Sequence, residues 1–141
     1  MPYTYEYPRF AVTVDAVLLA RENDQQHVLL ILRGNPPFEN MWALPGGYVD
    51  MDETTADAAM RELAEETGVE GMALQRLDVF DKVDRHPTER NISVAYYALL
   101  NEKVEAKAHD DAKDVRWFNI NELPDLAFDH HDIIQSAIGR L

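Results

Sequence analysis

The chain lacks cysteine, lacks any hydrophobic run of membrane-spanning length, and has few basic residues for its size. Its 141 residues include no cysteine, which excludes a disulfide framework. A membrane-spanning helix needs about 20 consecutive apolar residues, and every apolar run of this chain is much shorter. The first ten residues, MPYTYEYPRF, contain no basic region followed by an apolar core. We therefore expect no signal peptide and a cytoplasmic location.

Acidic residues outnumber basic residues by two to one. The chain has 26 Asp and Glu against 13 Lys and Arg, which gives a formal net charge of −13. Binding to duplex nucleic acid or to an anionic membrane depends on Lys and Arg, so we expect neither as a partner. The length and an apolar content of 46% suit one hydrophobic core. We assign residues 1–141 to a single domain.

Acidic residues are concentrated between positions 47 and 71, where eight acids accompany one base. Within this segment the residues follow the spacing G-x5-E-x7-R-E-φ-x-E-E-x-G-φ, where φ is apolar. The fixed positions are Gly47, Glu53, Arg61, Glu62, Glu65, Glu66 and Gly68. From average residue frequencies, an accidental match has a probability on the order of 10⁻⁹ per starting position. The spacing is therefore a specific signal.

The same segment predicts a helix that carries clustered carboxylates. Thr54 is a good N-terminal cap, and Gly68 suits the position just past a helix C-terminus. On a helix, Glu62, Glu65 and Glu66 point into an arc of about 100°. Like charges at this spacing repel one another, so a neutralising partner is expected. A hard divalent cation with oxygen ligands fits that need.

A second face of this predicted helix is small and apolar. Its members are Ala56, Ala59, Met60 and Leu63. We expect this face to pack on a sheet and Glu66 to face solvent. An acidic stripe on a helix is more often a solvated face. Here the exact spacing of the arginine and the glutamates favours a catalytic role instead.

This pattern is the Nudix box, and the chain resembles a Nudix hydrolase. The resemblance implies an α/β protein with the Nudix fold, an α/β/α sandwich around a mixed β-sheet. It also implies hydrolysis, with Mg²⁺ or Mn²⁺, of a nucleoside diphosphate linked to another moiety. The expected partner is a small-molecule nucleotide substrate, and a homodimer stays open as the oligomeric state.

By resemblance, the catalytic residues are those of the box. Glu62 and Glu66 are the principal metal ligands, and Glu65 is a further ligand or an orienting group. Arg61 holds Glu53, which acts through that arginine or through a metal-bound water.

Other candidates lie outside the box. By resemblance, the backbone carbonyl of Gly46 completes the metal shell, and Asp111 supplies a further carboxylate, with an ordinary turn aspartate as the alternative. Arg33 and Arg90 are candidates for substrate phosphates, and Phe38 is a candidate for stacking on a base. For each of them a purely structural role stays open.

Five more polar residues are harder to place. The charged segment 81–90 offers Glu89 as a mobile base and Arg85 as a phosphate contact, although charged loops are mostly solvated. His130 and the histidine after it point in different directions on a helix, so we expect capping or solvent contact rather than metal binding. Asp15 stands within an apolar strand, where a carboxylate needs a partner, and we assign it no function.

Hydrophobic periodicity predicts five strands, a short extended piece and a C-terminal helix. The strands are Phe10–Leu19, Val28–Leu32, Ala73–Asp81, Ile92–Leu99 and Val115–Ile120; the extended piece is Trp42–Leu44 and the helix is Asp129–Leu141. The polar stretch ENDQQH predicts a hairpin connection between the first two strands. Pro45-Gly46-Gly47 predicts a tight turn into the box.

The segments that flank the box indicate a narrower class of substrate. RGNPPFENMWALPGG and LAFDHHDII resemble the ADP-ribose pyrophosphatase subgroup, which favours hydrolysis of ADP-ribose to AMP and ribose 5-phosphate. The alternatives are pyrophosphohydrolysis of nucleoside triphosphates, including oxidised ones, and a non-catalytic nucleotide-sensing domain. The same segments resemble the sensing domain of Nudix-related regulators of transcription. Such regulators need a winged-helix domain after the Nudix part and usually lose box glutamates, whereas all of them are intact here.

Overall fold

A mixed β-sheet with one helix on each face forms the fold of residues 4–141, the part of the chain described by the computed structural model. The strands are β1 (Ala11–Glu22), β2 (Gln25–Arg33), β3 (Trp42–Ala43), β4 (Gly46–Tyr48), β5 (Gln75–Phe80), β6 (Asn91–Leu100) and β7 (Ala112–Asn119). The helices are α1 (Thr55–Thr67) and α2 (His130–Ile138). The predicted α/β/α sandwich is confirmed.

The sheet is mixed because β1 and β6 run parallel while the other pairs are antiparallel. The main strand order is β3-β2-β1-β6-β5, with β4 paired to β1 and β7 paired to β2. Strand β1 therefore lies at the centre of the fold. No helix of residues 4–141 is long and apolar enough to cross a membrane.

Strand β1 is buried on both faces, which explains its nearly continuous apolar sequence. Val17 and Leu19 belong to the core that α2 covers. Ala16 and Leu18 alternate with them and join Leu63 of α1 on the opposite side. The alternating side chains of β1 thus pack against both helices, one on each face of the sheet.

The predicted hairpin between β1 and β2 is confirmed, but its connection is shorter than the polar stretch. The strands continue through the polar residues to Glu22 and from Gln25, which leaves only Asn23 and Asp24 as the turn. Both turn residues have positive φ, 53° and 62°. Two-residue hairpin loops favour this conformation, and Asn and Asp tolerate it.

The predicted turn at Pro45-Gly46-Gly47 is wrong, because Gly46–Tyr48 form strand β4 against β1. A Cβ on Gly46 would lie 2.1 Å from the carbonyl oxygen of Val14. Only glycine permits so close an approach of two backbones. The glycines therefore serve close strand pairing next to the box.

The ends of α1 match the prediction. Thr54 accepts a hydrogen bond from the backbone N–H of Asp57, and Gly68 closes the helix in the left-handed conformation at φ 74°. The second helix begins and ends inside the predicted range, because Gly139 caps it and leaves Leu141 outside.

The apolar face predicted for α1 is partly wrong. Ala59 and Leu63 are buried as expected, but Met60 is 41% exposed and Ala56 faces solvent. The buried face instead includes Ala58. Small alanines on several faces leave the rotation of a helix ambiguous in sequence.

We predict that Leu63→Ala lowers the free energy of unfolding by about 2–5 kcal/mol, because Leu63 is fully buried between α1 and the sheet. Met60→Ala on the same helix should change it by less than about 1 kcal/mol. Urea unfolding of both variants measures the difference. Equal losses would contradict the observed orientation of α1.

Candidate active site

Arg61 is the centre of an acidic cluster at the start and middle of the box. Its guanidinium contacts Glu53 through Nη2 at 2.7 Å and Nε at 3.0 Å, Glu62 through Nη1 at 2.9 Å, and Glu65 at 3.2 Å. Nη2 also donates to the carbonyl oxygen of Tyr48 at 3.1 Å. The contact with Glu53 that the resemblance implied is present. One cation thus holds three carboxylates and joins α1 to β4.

Glu66 is not the solvent-facing residue that the sequence predicted, since only 8% of its surface is exposed. Its Oε1 accepts a hydrogen bond from the backbone N–H of Gly46 at 2.8 Å. Burial raises the pKa of Glu66 to about 8, and the charges of Glu62 and Asp15 act in the same direction. The N–H of Gly46 and the more distant Arg33 only partly oppose this effect.

Glu62 lies beside Glu66 and is also shielded from water. Burial raises its pKa to about 7, although Arg61 acts in the opposite direction. Its carboxylate packs against the backbone of Gly47, where a Cβ would lie 2.7 Å from the carboxyl carbon. The first glycine of the box is therefore needed for close packing. Two adjacent carboxylates with raised pKa values favour either protons or a bound cation.

A cleft brings the metal-ligand candidates together with a cation. Glu62, Glu66 and Asp111 line it, together with Gly46 and Arg33. Asp50 also lines this cleft and was not anticipated; its place just after β4 was the available signal. The carboxylate of Glu65 instead binds Arg61 and has a 44% exposed side chain.

The donor set of this cleft suits a hard divalent cation, because it consists of carboxylate and backbone oxygens. Glu66 in particular is a buried carboxylate whose only close partner within the described residues is one backbone N–H. In residues 4–141, no three acidic, histidine or cysteine side chains already stand in a metal-binding cluster.

A second cleft adjoins the first and shares Arg33, Gly46, Gly47 and Tyr48 with it. Its other lining residues are Thr13, Val14, Asp15, Leu44, Arg85, His86, Asn91, Phe128 and His130. Arg33 lies between the two clefts, because it lines both. Its Nε donates to the carbonyl oxygen of Pro37 at 2.8 Å, which fixes the guanidinium in place.

Phe38 and Phe128 form an aromatic pair at this boundary. Their rings meet edge to face with centroids 4.7 Å apart, and Arg33 lies over the ring of Phe128 at 5.0 Å. Phe128 lines the second cleft and was not anticipated, whereas Phe38 lines neither cleft. Phe38 is thus placed to support Phe128 and not to face a ligand directly.

The structure does not bring Arg90 to either cleft; its guanidinium lies over the ring of Phe10 at 4.7 Å. Arg85 does not have the exposure expected of a loop arginine, because only 7% of its surface is exposed. It binds Asp129 through both Nη2 at 2.7 Å and Nε at 3.0 Å. Glu89 accepts a hydrogen bond from the hydroxyl of Tyr48 at 2.7 Å, which joins the 81–90 segment to β4.

The NUDIX domain model matches residues 9–137, which is almost the whole chain. This chain belongs to the NUDIX domain family. The Nudix resemblance is therefore confirmed.

Two similar proteins differ in their named activities. An ADP-ribose pyrophosphatase of Methanocaldococcus jannaschii is 42% identical over 89% of this chain and 71% of its own length. An ADPR-responsive transcriptional repressor, NtrR, of Acinetobacter baylyi is 35% identical over 96% of this chain. This chain spans 56% of the length of that repressor.

Among solved structures, the NUDIX domain of Shewanella oneidensis NrtR, complexed with ADP ribose, has a TM-score of 0.86 and 33% identity to this chain. The match covers 95% of this chain and 90% of that one. The Nudix form of the α/β/α sandwich is thus confirmed.

We predict that Arg61→Met lowers the free energy of unfolding by about 1–2 kcal/mol at low ionic strength, because the carboxylates lose their shared cation. The matched control is Arg116→Met, whose exposed arginine pairs with Asp114 and lies over the ring of Trp42 at 5.4 Å; it should contribute less than about 1 kcal/mol. Added NaCl should reduce the loss of unfolding free energy in Arg61→Met, because salt screens the repulsion among the carboxylates. Urea titrations at two salt concentrations decide this, and a deficit no larger than that of the control would contradict it.

Proposed function

We propose that this chain hydrolyses the diphosphate of ADP-ribose, or of a closely similar nucleoside diphosphate sugar, with Mg²⁺ or Mn²⁺. The proposal rests on two adjoining clefts that share Arg33. Glu62 and Glu66 line the first cleft, and aromatic and polar side chains line the second. The similarity to an ADP-ribose pyrophosphatase supports the same substrate.

The metal would be held by Glu62 and Glu66, with Asp111 and the backbone oxygen of Gly46 as further ligands. When bound, it would offset the negative charge of the diphosphate and polarise a phosphoryl oxygen. Glu65 would act as an orienting group, since it binds Arg61 outside the cleft. This assignment follows the lining of the first cleft and the burial of its carboxylates.

The other box residues would hold this arrangement in place. Arg61 fixes Glu53 and the carbonyl of Tyr48, and it keeps α1 in register with β4. Arg33 would contact the diphosphate, because it lines both clefts. Water would attack one phosphorus atom, and the bond to the bridging oxygen would break to give AMP and ribose 5-phosphate. Glu89 stays a candidate base.

The second cleft supports a substrate with a sugar on each side of the diphosphate. Thr13, Asn91 and His86 offer polar atoms there, and Phe128 contributes an aromatic ring to the lining. A nucleoside triphosphate has no second sugar to fill a cleft beyond the diphosphate. The geometry therefore favours ADP-ribose over triphosphates.

A sensing function is the second candidate, because the Acinetobacter repressor aligns with 96% of this chain. DNA binding by a longer protein is compatible with that similarity. The intact box glutamates favour catalysis, since a sensor needs affinity for the nucleotide but no turnover.

We predict Mg²⁺-dependent release of AMP from ADP-ribose, with kcat/KM at least about tenfold above that for dGTP or 8-oxo-dGTP. Excess EDTA should abolish turnover, because clustered carboxylates repel a diphosphate without a cation. Product analysis by chromatography measures both effects. A triphosphate preferred tenfold would overturn the ADP-ribose assignment. Tight binding of ADP-ribose without turnover in Mg²⁺ or Mn²⁺ would instead support the sensor.

We predict that Glu66→Gln lowers kcat on the order of 10²-fold or more while the fold persists. Glutamine keeps the volume and can still accept from the N–H of Gly46. Since burial disfavours the charge of Glu66, the metal-free variant should be at least as stable as wild type. Glu65→Gln, on the exposed side of the helix, is the matched control and should lose less activity. Wild-type kcat in Glu66→Gln at saturating Mg²⁺ would contradict the proposed metal face.

A further inference from the structure

His130 is a buried histidine whose two ring nitrogens both have partners. Only 3% of its surface is exposed, and it lies at the start of α2. The backbone N–H of Leu44 donates to its Nδ1 at 3.0 Å, across 86 residues of sequence. Its Nε2 lies 3.2 Å from Oδ1 of Asp15. Because Nδ1 accepts a hydrogen bond, the proton of a neutral ring resides on Nε2 and points at Asp15.

Asp15 is fixed by further buried partners, which explains a carboxylate in the central strand. Ser93 donates a hydrogen bond to its Oδ2, and the guanidinium of Arg85 lies 3.8 Å from the same oxygen. Arg85 is itself fixed by Asp129, the residue before His130. Burial alone would raise the pKa of Asp15, but His130, Ser93 and Arg85 together lower it. Asp15 therefore stays an acceptor for the ring of His130.

Three consecutive residues, 44–46, connect His130 and Asp15 to the first cleft. Leu44 is held by His130, and the carbonyl of Pro45 accepts from the N–H of Ala16 at 2.8 Å. The N–H of Gly46 then donates to Glu66. A Cβ on Gly46 would lie 2.7 Å from Oδ1 of Asp15, the oxygen that faces the ring. Proline has no N–H, so Leu44 and Gly46 provide the backbone donors of this segment.

We propose that His130 is a positioning residue for the first cleft. It fixes the backbone of residues 44–46 so that the N–H of Gly46 is aimed at the carboxylate of Glu66. It touches no reacting atom and acts through Leu44. The catalytic consequence rests on the proposed hydrolysis, whereas the placement of the Gly46 N–H does not.

Two substitutions of His130 test the contacts of its two ring nitrogens one at a time. In His130→Asn, the side-chain oxygen stands near the place of Nδ1 and can still accept from Leu44, while the contact with Asp15 is lost. In His130→Gln, the longer amide reaches toward Asp15 and the acceptor for Leu44 is lost. Both variants remove the buried ring, so both should lose stability. His131→Gln, at the exposed neighbour on α2, is the matched control.

We expect His130→Gln to lower kcat for ADP-ribose at least about tenfold, as outer-shell changes around a metal site typically do. KM should change less than about threefold, because the interaction lost is the one with the backbone N–H of Leu44, and Gln keeps a polar side chain where His130 lines the second cleft. His130→Asn should retain kcat within about threefold, despite its lower Tm. Equal loss of kcat in the two variants, large or small, would overturn the proposal in favour of a purely structural histidine.

A readout independent of turnover uses metal-free protein. In ¹H–¹⁵N spectra, the amide resonance of Gly46 should move in His130→Gln and stay near its wild-type position in His130→Asn and His131→Gln. Long-range ¹H–¹⁵N spectra of the wild type should show His130 protonated on Nε2 only. A proton on Nδ1, or an unmoved Gly46 resonance in His130→Gln, would refute the positioning role. If wild type does not hydrolyse ADP-ribose, the proposed function fails and these spectra still decide the role of His130.

Discussion

Repulsion among carboxylates on one helix is the constraint that the rest of this site depends on. Glu62, Glu65 and Glu66 lie within about one turn of α1, and Glu53 contacts the same arginine as Glu62 and Glu65. Arg61 offsets the exposed part of this charge through hydrogen bonds to Glu53, Glu62 and Glu65. Glu66 lies beyond its reach and relies on a backbone N–H. The protein therefore concentrates the remaining electrostatic cost in the cleft, where a cation from solution would lower it.

Burial strengthens this effect. A carboxylate in water is well solvated, and a cation gains little by binding it. Glu66 and Glu62 have lost much of that solvation, which is why their pKa values are raised. The same burial favours the protonated form of both carboxylates. The charged form of these carboxylates therefore costs folding stability, and a bound cation would offset that cost.

The box and its helix could be predicted from sequence because their interactions are local. The caps at Thr54 and Gly68 and the contact between Arg61 and Glu53 lie within one segment, so spacing and resemblance suffice. The rotation of α1 was missed, since alanines permit several packing faces. The tertiary partners of Arg85 and His130 lie 44 and 86 residues away in sequence, at Asp129 and Leu44. No periodicity encodes such pairs.

Glycine at position 46 joins two polar systems that lie on opposite sides of the central strand. On one side its N–H holds Glu66 on α1, and on the other its Cα packs against Asp15, which faces α2 through His130. Each helix thereby contributes to the position of a single strand, β4. A shift of α2 would therefore move β4 at the first cleft, without any contact between α2 and a diphosphate. His130, far from the box in sequence, thus lines a cleft that also includes Gly46.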